Sequence, residues 1–273
     1  MTDSPGPFER PLAGGSRTEV TEAGGVVFRS PGPQSPTVIA LLRHLEDAGF
    51  PASPRVVGTG FDPEGRETLA YIEGESPQPR PWSDEALASI GDLVCRLHVA
   101  TATFVPPPTP RWQPSPTRDL PGDRPVIGHG DLGPWNILAR DGLPVAFIDW
   151  DTAGPVDATW DLALAAWLNV QLHDDDVAEL AGLAPAATRA RQLRGLVDAY
   201  GLDRVRRERF VSQLAEVAIH DAAHEAVSGA VTPGSTDAVD ATGFPVMWAI
   251  AWRARSAAWI LRHRTLLGRA LGA

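Results

Sequence analysis

The chain has 273 residues, of which 43% are hydrophobic and 21% are charged, and its formal net charge is -10 at pH 7. This composition is ordinary for a globular protein with one large core or two lobes, and no apolar run approaches the ~20 residues of a membrane span. Because nucleic-acid binding needs a basic surface, the acidic balance excludes a general nucleic-acid binder, and we expect neither a nucleic-acid nor a membrane partner.

The N-terminal segment and the cysteine and lysine content indicate the cellular compartment and the kinds of side chain available to a site. Residues 1–15 contain no basic stretch followed by an apolar one, which indicates a cytoplasmic protein without a secretory signal. The one cysteine, Cys95, rules out an internal disulfide, and its apolar neighbours predict a packing role. No lysine is present, so every basic side chain other than histidine is an arginine.

The first part of the chain predicts a small antiparallel sheet with one helix. A turn at Gly24-Gly25 precedes a strand that ends at Arg29. Next, Ser35 is a suitable N-cap for an amphipathic helix that Gly49 terminates. Strands are predicted at residues 26–29, 54–57 and 68–72, and the stretch 73–77 then breaks the pattern.

The remainder predicts a mainly helical region. Ser83 is the predicted N-cap of a helix that runs to His98, a histidine expected in the core. Residues 105–124, here called the Pro-rich connector, contain too many prolines for regular structure. We expect Trp112 to anchor this connector to the lobe, and a substrate lid is the alternative. Further helices are predicted at residues 162–168, 193–200, 204–227 and 245–271.

The segment between the connector and the later helices carries the clearest motif. Short apolar runs at residues 125–127 and 145–148 predict two strands, and each runs into a polar cluster. After the first strand come Asp131 and, five residues later, Asn136. Asp149 follows the second strand, thirteen residues after Asn136. Both clusters are therefore predicted at strand ends.

This spacing meets the requirements of phosphoryl transfer from a metal nucleotide. The carboxylate of Asp131 can accept the proton of an attacking hydroxyl, while the amide oxygen of Asn136 and the carboxylate of Asp149 can hold Mg2+ against the phosphates. The alternative is a non-enzymatic α/β protein in which these residues only cap strands and turns. Capping explains one residue at a time and does not explain the joint spacing.

The motif resembles that of the aminoglycoside phosphotransferase-like enzymes, the phosphotransferase enzyme family of the protein-kinase-like superfamily. HGDLGPWN, residues 129–136, corresponds to the catalytic loop, and IDWD, residues 148–151, to the kinase DFG segment. The resemblance implies an α+β, protein-kinase-like two-lobed fold, with a small antiparallel-sheet N-lobe at residues 1–73 and a mainly helical C-lobe at residues 74–273. It also implies Asp131 as the catalytic base and ATP and Mg2+ as cofactors.

Further roles around the nucleotide follow from the same resemblance. Arg29 falls where kinases have a strand lysine that contacts the phosphates, but the helix acid that pairs with this lysine is missing. The only acids of that helix, Glu46 and Asp47, lie in its last turn. Either Arg29 contacts the phosphates without this partner, or the N-lobe cleft is held differently, or nucleotide binding is lost. The residues expected to enclose adenine are Val27, Leu138 and Ile148.

Two residues are expected to support the site, and several acids are expected to face the acceptor. By resemblance, His129 and Asp161 are structural, and Asp161 braces the catalytic loop from the next helix.

An acidic wall facing the acceptor is the hypothesis for one later helix, and a metal site at His220 and His224 is the weaker alternative. The acids are Glu216, Asp221 and Glu225, with Asp237 and Asp240 in the loop that follows.

The resemblance implies an ATP-dependent phosphotransferase that moves the γ-phosphate to a hydroxyl of a small molecule. An aminoglycoside-like antibiotic is one candidate acceptor, with antibiotic resistance as the consequence. A choline- or homoserine-type small-molecule kinase has the same motif and is the alternative within the enzyme class. From another class, a catalytically weakened nucleotide-binding immunity protein that sequesters a ligand is favoured by the missing partner of Arg29 and opposed by the intact motif.

Overall fold

The N-terminal part of the protein is a five-stranded antiparallel sheet with one helix packed against it. The structure is a computed structural model, and it describes residues 9–12, 20–78, 80–236, 239 and 245–273. The strand order is β1-β2-β3-β5-β4, so β3 lies at the centre of the sheet. The strands are β1 (Arg10–Pro11), β2 (Val20–Ala23), β3 (Val26–Arg29), β4 (Val56–Phe61) and β5 (Glu67–Ala70).

The hairpin of β2 and β3 depends on two glycines. Gly24 and Gly25 have φ angles of 59° and 82°, and Ala23 pairs directly with Val26 across the turn. A two-residue turn with both central φ angles positive matches the twist of the flanking strands, and glycine adopts it without steric cost. This turn fixes the register of β3 and thus the position of Arg29 at its end.

The N-cap of helix α1 (Ser35–Asp47) lies one residue earlier in the chain than predicted. Gln34 is the N-cap residue, whereas the Ser35 hydroxyl accepts a hydrogen bond from Gly32 N at 2.8 Å and donates one to Glu67. The predicted end of the helix is confirmed, because Gly49 follows it with a φ angle of 71°. Its apolar face is buried and consists of Val38, Ile39, Leu41, Leu42 and Leu45.

Strand β4 starts and ends later in the chain than predicted. It contains Gly58 and Gly60, both with positive φ, and its pairing with β5 shifts register between Val56 and Phe61. Glycines inside a strand weaken the alternating pattern that indicates strand structure, and they accommodate such an irregularity. The predicted small antiparallel sheet is confirmed nonetheless.

The C-terminal part is mainly helical, as predicted. Ser83 is the N-cap of α2, and its hydroxyl accepts a hydrogen bond from Ala86 N at 3.1 Å. The predicted long helix at 245–271 is two helices, because the backbone leaves helical geometry at His263. The helices are α2 (Asp84–Thr101), α3 (Ala158–Val170), α4 (Asp175–Leu180), α5 (Ala186–Tyr200), α6 (Arg204–Ser228), α7 (Val246–Arg262) and α8 (Arg264–Leu271).

Helix α3 lies at the centre of the helical part, and all of its residues are buried. The core around it continues without interruption into the apolar face of α1 and includes the fully buried side chains of Trp150, Trp167 and Trp259. Within the part of the chain that the structure describes, no helix is long and apolar enough to cross a membrane.

The Pro-rich connector has no helix or strand, as its composition predicts. Trp112 packs against the core, and Arg111 N donates a hydrogen bond to the Thr37 hydroxyl at 3.0 Å. Gln113 Nε2 donates another to Gln34 Oε1 at 2.8 Å. The connector therefore joins the helical part to the N-terminal end of α1.

Candidate active site

Two short antiparallel sheets hold the motif residues together. Strands β6 (Pro125–Gly128) and β9 (Gly154–Asp157) form one sheet, and β7 (Ile137–Arg140) and β8 (Leu143–Phe147) form the other. The loop after β6 and the loop after β8 therefore lie next to each other. Their backbones are joined by a hydrogen bond from Ile148 N to Asn136 O at 2.9 Å.

Asn136 contacts Asp131 through its amide nitrogen. Nδ2 donates to the Asp131 backbone oxygen at 2.8 Å and to the carboxylate Oδ2 at 3.0 Å. With Nδ2 engaged in this way, Oδ1 is the atom of Asn136 that remains for a cation. The hydrogen bonds therefore fix the amide of Asn136 against Asp131, and the metal and base roles of the two residues stay predictions.

Asp149 is the most exposed member of the motif. Its side chain is 54% exposed, and its backbone is left-handed, with a φ angle of 59°. A left-handed aspartate is uncommon outside turns, and such conformations concentrate at functional sites. A carboxylate and an amide oxygen are ligands that suit Mg2+, which keeps most of its other positions for water and phosphates.

No group of three or more His, Cys, Asp or Glu side chains among the described residues is arranged to hold a metal ion. The pair His220 and His224 therefore has no third ligand among them. Asn136 and Asp149 remain the donor set that fits a nucleotide-bound cation.

Asp161 of α3 contacts the loop that contains Asp131. Its side chain is 1% exposed and accepts hydrogen bonds from Gly130 N at 3.1 Å, from His129 N at 3.4 Å and from His98 Nε2 at 3.0 Å. Burial alone would raise the pKa of Asp161, but the hydrogen bond and charge of His98, together with Gly130 N–H, keep this pKa below its ordinary value. The carboxylate is therefore ionised and fixes the loop.

His129 is a buried, neutral residue of the same loop. Its Nε2 donates to the backbone oxygen of Ile148 at 2.9 Å, and its ring lies 4.7 Å from that of Trp150. Burial lowers the pKa of His129. The neutral His129 ring therefore joins the two motif loops.

Arg29 lies among three carboxylates. Nε is 3.2 Å from Glu67 Oε2, Nη1 is 3.5 Å from Asp149 Oδ1, and Nη2 binds Asp151. Burial alone would lower the pKa of Arg29, but the charges of Asp151, Glu67 and Asp149 raise it. Glu67 of β5 is the most buried of these three acids, whereas Glu46 is exposed at the end of α1.

The residues predicted to enclose adenine are partly exposed. Val27 lies on β3, Leu138 on β7, and Ile148 directly before Asp149, and all three are of intermediate burial. The stretch 73–77, which follows the N-terminal sheet, pairs with β7 through two hydrogen bonds between Glu75 and Ala139, at 2.8 and 3.0 Å. The adenine contacts themselves stay a prediction.

Two of the three helix acids of the predicted acidic wall form ion pairs with an arginine, and the wall itself stays a prediction. Arg253 of α7 places Nε 2.6 Å from Asp221 Oδ2 and Nη2 3.0 Å from Glu225 Oε1. Because a buried carboxylate needs a partner, Asp221 packs against this arginine and is 7% exposed. Glu216 is exposed on α6. Asp237 and Asp240 lie outside the described residues.

A cleft of about 610 Å³ opens beside the motif loops. One of its lining residues, Thr152, donates a hydrogen bond to the His129 backbone oxygen at 3.1 Å, so the cleft borders the catalytic loop. Sequence reasoning missed most of its residues, because neutral polar side chains from four separate segments carry no local motif. The cleft is lined by Ser30, Pro31, Gly32, Gln34, Gln113, Pro114, Asp151, Thr152, His224 and Ser228.

Comparison with known proteins identifies the family. Residues 110–211, which include the whole motif, match the sequence profile described as "Phosphotransferase enzyme family". The chain is also 55% identical over 260 residues to the trifolitoxin immunity protein of Rhizobium leguminosarum bv. trifolii, covering 95% of this chain and 97% of that one. This chain belongs to the phosphotransferase enzyme family.

Solved structures of similar fold extend over nearly the whole chain. A choline/ethanolamine kinase family protein from Mesorhizobium loti has a TM-score of 0.61 at 18% identity, covering 97% of this chain and 93% of that chain. An amicoumacin kinase in complex with AMP-PNP, Ca2+ and Ami has a TM-score of 0.62 at 13% identity, covering 92% of this chain and 87% of that chain. The predicted protein-kinase-like fold of this phosphotransferase-family chain is therefore confirmed.

Proposed function

We propose that this chain is an ATP-dependent phosphotransferase that moves the γ-phosphate to a hydroxyl group of a small molecule. The observation that carries the proposal is the joint arrangement of Asp131, Asn136 and Asp149, in which Asn136 binds Asp131 and pairs with the residue before Asp149. Asp131 would accept the hydroxyl proton, and Asn136 Oδ1 and Asp149 would hold Mg2+ against the phosphates.

The nucleotide is proposed to lie between an N-lobe of residues 1–73 and a C-lobe of residues 74–273. Arg29, with its guanidinium directed at the motif, would contact the phosphates. Val27, Leu138 and Ile148 would enclose adenine, since all three keep part of their apolar surface exposed. His129 and Asp161 would hold the catalytic loop in place.

The acceptor is proposed to bind in the cleft beside the motif loops. Asp151 and His224 are the ionisable residues of its described lining, and Asp151 is already paired with Arg29. A polycationic aminoglycoside needs unpaired acids to bind, and Arg253 engages Asp221 and Glu225. An alcohol that carries few positive charges therefore fits this lining better than an aminoglycoside does.

A second candidate function is protection from a toxin by binding alone. The identity of 55% with a trifolitoxin immunity protein over nearly the full length of both chains favours a protective role. Such a role is compatible with phosphorylation of the toxin and also with its sequestration. The intact set of Asp131, Asn136 and Asp149 favours phosphorylation, because sequestration alone requires none of the three.

Both candidates can be tested with one acceptor panel. The purified protein is incubated with MgATP and, separately, trifolitoxin, kanamycin, erythromycin and choline, and each product is examined by mass spectrometry for the gain of one phosphoryl group. Asp131→Asn should lower turnover by roughly 10²- to 10⁴-fold and leave MgATP affinity unchanged. Asp141→Asn, at an exposed turn between β7 and β8, is the matched control and should transfer at the parent rate.

The outcomes separate the two functions. Phosphoryl transfer by the parent protein and by Asp141→Asn, but not by Asp131→Asn, supports the phosphotransferase. Tight binding of trifolitoxin with no transferred phosphate, equal in the parent protein and in Asp131→Asn, supports sequestration and contradicts the phosphotransferase.

A further inference from the structure

We infer that Glu67 is the positioning residue for Arg29 and performs from strand β5 the function that kinases assign to a helix acid. The inference rests on the proposed function, in which Arg29 contacts the phosphates of ATP. The sequence motif assigns no role to Glu67.

The sheet register brings the two residues together. Arg29 of β3 and Glu67 of β5 are direct cross-strand partners, which places their side chains side by side on the same face. The Nε to Oε2 distance is 3.2 Å, and Glu67 is 3% exposed. A buried acid at this distance exerts its charge on Arg29 with little screening by water.

The contact acts through charge. Nε is buried and makes no aligned hydrogen bond with any described residue, so attraction between the two ions holds the pair. Glu67 is itself held by the hydroxyl of Ser35, the first residue of α1. Helix α1 thus contributes to the pair through a hydroxyl, although it supplies no acid.

This pairing decides which edge of the guanidinium faces the catalytic segment. Because Glu67 occupies the Nε edge, Nη1 and Nη2 are directed toward Asp149 and Asp151. Asp151 also accepts a hydrogen bond from Gln34 Nε2 at 2.9 Å, which fixes its position. A planar guanidinium can use one edge for an anchor and two nitrogens for a ligand, whereas an ammonium group has no such fixed fork.

The test is a double-mutant cycle on nucleotide affinity. MgATP binding is measured by titration calorimetry for the parent protein, Glu67→Gln, Arg29→Ala and the double variant, with urea unfolding measured in parallel. We expect Glu67→Gln to weaken MgATP binding roughly tenfold, and the double variant to bind no more weakly than Arg29→Ala alone. A merely structural role would instead lower stability and add to the loss caused by Arg29→Ala.

Glu64→Gln is the matched control. Glu64 is exposed in the turn between β4 and β5 of the same sheet, so the same change there should leave MgATP affinity unaltered. Where Glu67→Gln does not fold, Ser35→Ala removes the hydroxyl that holds Glu67 and keeps both charges. It should weaken MgATP binding several-fold, and unaltered affinity in this variant overturns the inference.

The remaining outcomes distinguish the inference from the proposed function. If Glu67→Gln binds MgATP like the parent while Arg29→Ala does not, Glu67 is not the positioning residue and the proposed function is unaffected. If the parent protein itself does not bind MgATP, the proposed function is wrong and the inference falls with it.

Discussion

The carboxylate of Asp161 and the backbone nitrogen of Gly130 lie 3.1 Å apart, which attaches the catalytic loop to the helix that follows it. Gly130 has a φ angle of 78°, and a Cβ atom there would lie 2.5 Å from the backbone oxygen of Thr152. At position 130, directly before Asp131, the loop therefore has space for no residue larger than glycine. Its geometry depends on the charge and shape of the Asp161 side chain.

Asp161→Asn should destabilise the protein and slow phosphoryl transfer. An amide cannot accept from Gly130, His129 and His98 as a carboxylate does, and breaking a buried charged interaction costs roughly 3 kcal/mol. Urea unfolding followed by tryptophan fluorescence measures the loss. Glu216→Gln, an exposed change on α6, is the control and should cost less than about 0.5 kcal/mol. Equal stability of both variants would contradict the bracing role.

Asp149→Asn should remove the Mg2+ dependence of nucleotide binding. The carboxylate is exposed enough to meet a cation, and replacement by an amide lowers the negative charge that attracts one. In the parent protein, chelation of Mg2+ should weaken ATP binding about tenfold or more. In the variant, ATP affinity with and without Mg2+ should be nearly the same. A parent protein that binds ATP equally well after chelation would refute the metal assignment.

The proximity of the three motif residues could be predicted from sequence because they are close together along the chain. Asp131, Asn136 and Asp149 fall within nineteen consecutive residues, and the strands on either side have clear apolar patterns. The partner of Arg29 could not be found in this way. Glu67 is 38 residues away along the chain, and their proximity depends on the exact register of β3 against β5, which no local pattern specifies.

The arginine partner of Asp221 and Glu225 could not be predicted from sequence for a similar reason. Helical spacing correctly places Asp221 and Glu225 on one face of α6, but it does not indicate which residue packs there. Arg253 is on another helix and looks from the sequence like an ordinary surface arginine. The break between α7 and α8 at His263 was missed because the apolar pattern continues across it.

Arg253→Met should unfold at a lower urea concentration than the parent protein. The change leaves Asp221 and Glu225 without their common partner, and isolating a buried charge costs roughly 3 kcal/mol. Burial already raises the pKa of Asp221, so part of this cost would appear as uptake of a proton. Arg255→Met, two residues later in a more exposed ion pair, is the control and should cost about 1 kcal/mol or less.

The same pairing predicts that the two acids matter for stability and not for acceptor recognition. Asp221→Asn combined with Glu225→Gln should leave the Michaelis constants for acceptor and ATP within about twofold of the parent values, since these side chains already bind Arg253. A large rise in the acceptor constant alone would support the acidic wall.

His173 should make stability depend on pH in the acid range. Burial and the charges of Arg189 and Arg253 lower its pKa from 6.5 to about 4 in the folded protein. The unfolded chain therefore binds more protons between these values, so stability is complete above pH ~6.5 and falls by roughly 3 kcal/mol as the pH drops to about 4.

The check is a set of urea unfolding curves between pH 4 and pH 7. His173→Gln should flatten this dependence, because glutamine does not take up a proton. His220→Gln, an exposed histidine on α6, should retain the slope of the parent protein. An unchanged slope in His173→Gln would show that other groups cause the dependence.

The Pro-rich connector affects how the small sheet and the helical part unfold. It contacts α1 through Arg111 and Gln113, and Arg118 Nη2 donates to the backbone oxygen of Thr152 at 2.9 Å. Because the apolar face of α1 also belongs to the common core, the small sheet and the helical part have no independent interiors. We expect them to melt in one calorimetric transition, so that a ligand bound beside the connector raises the melting temperature of the entire chain.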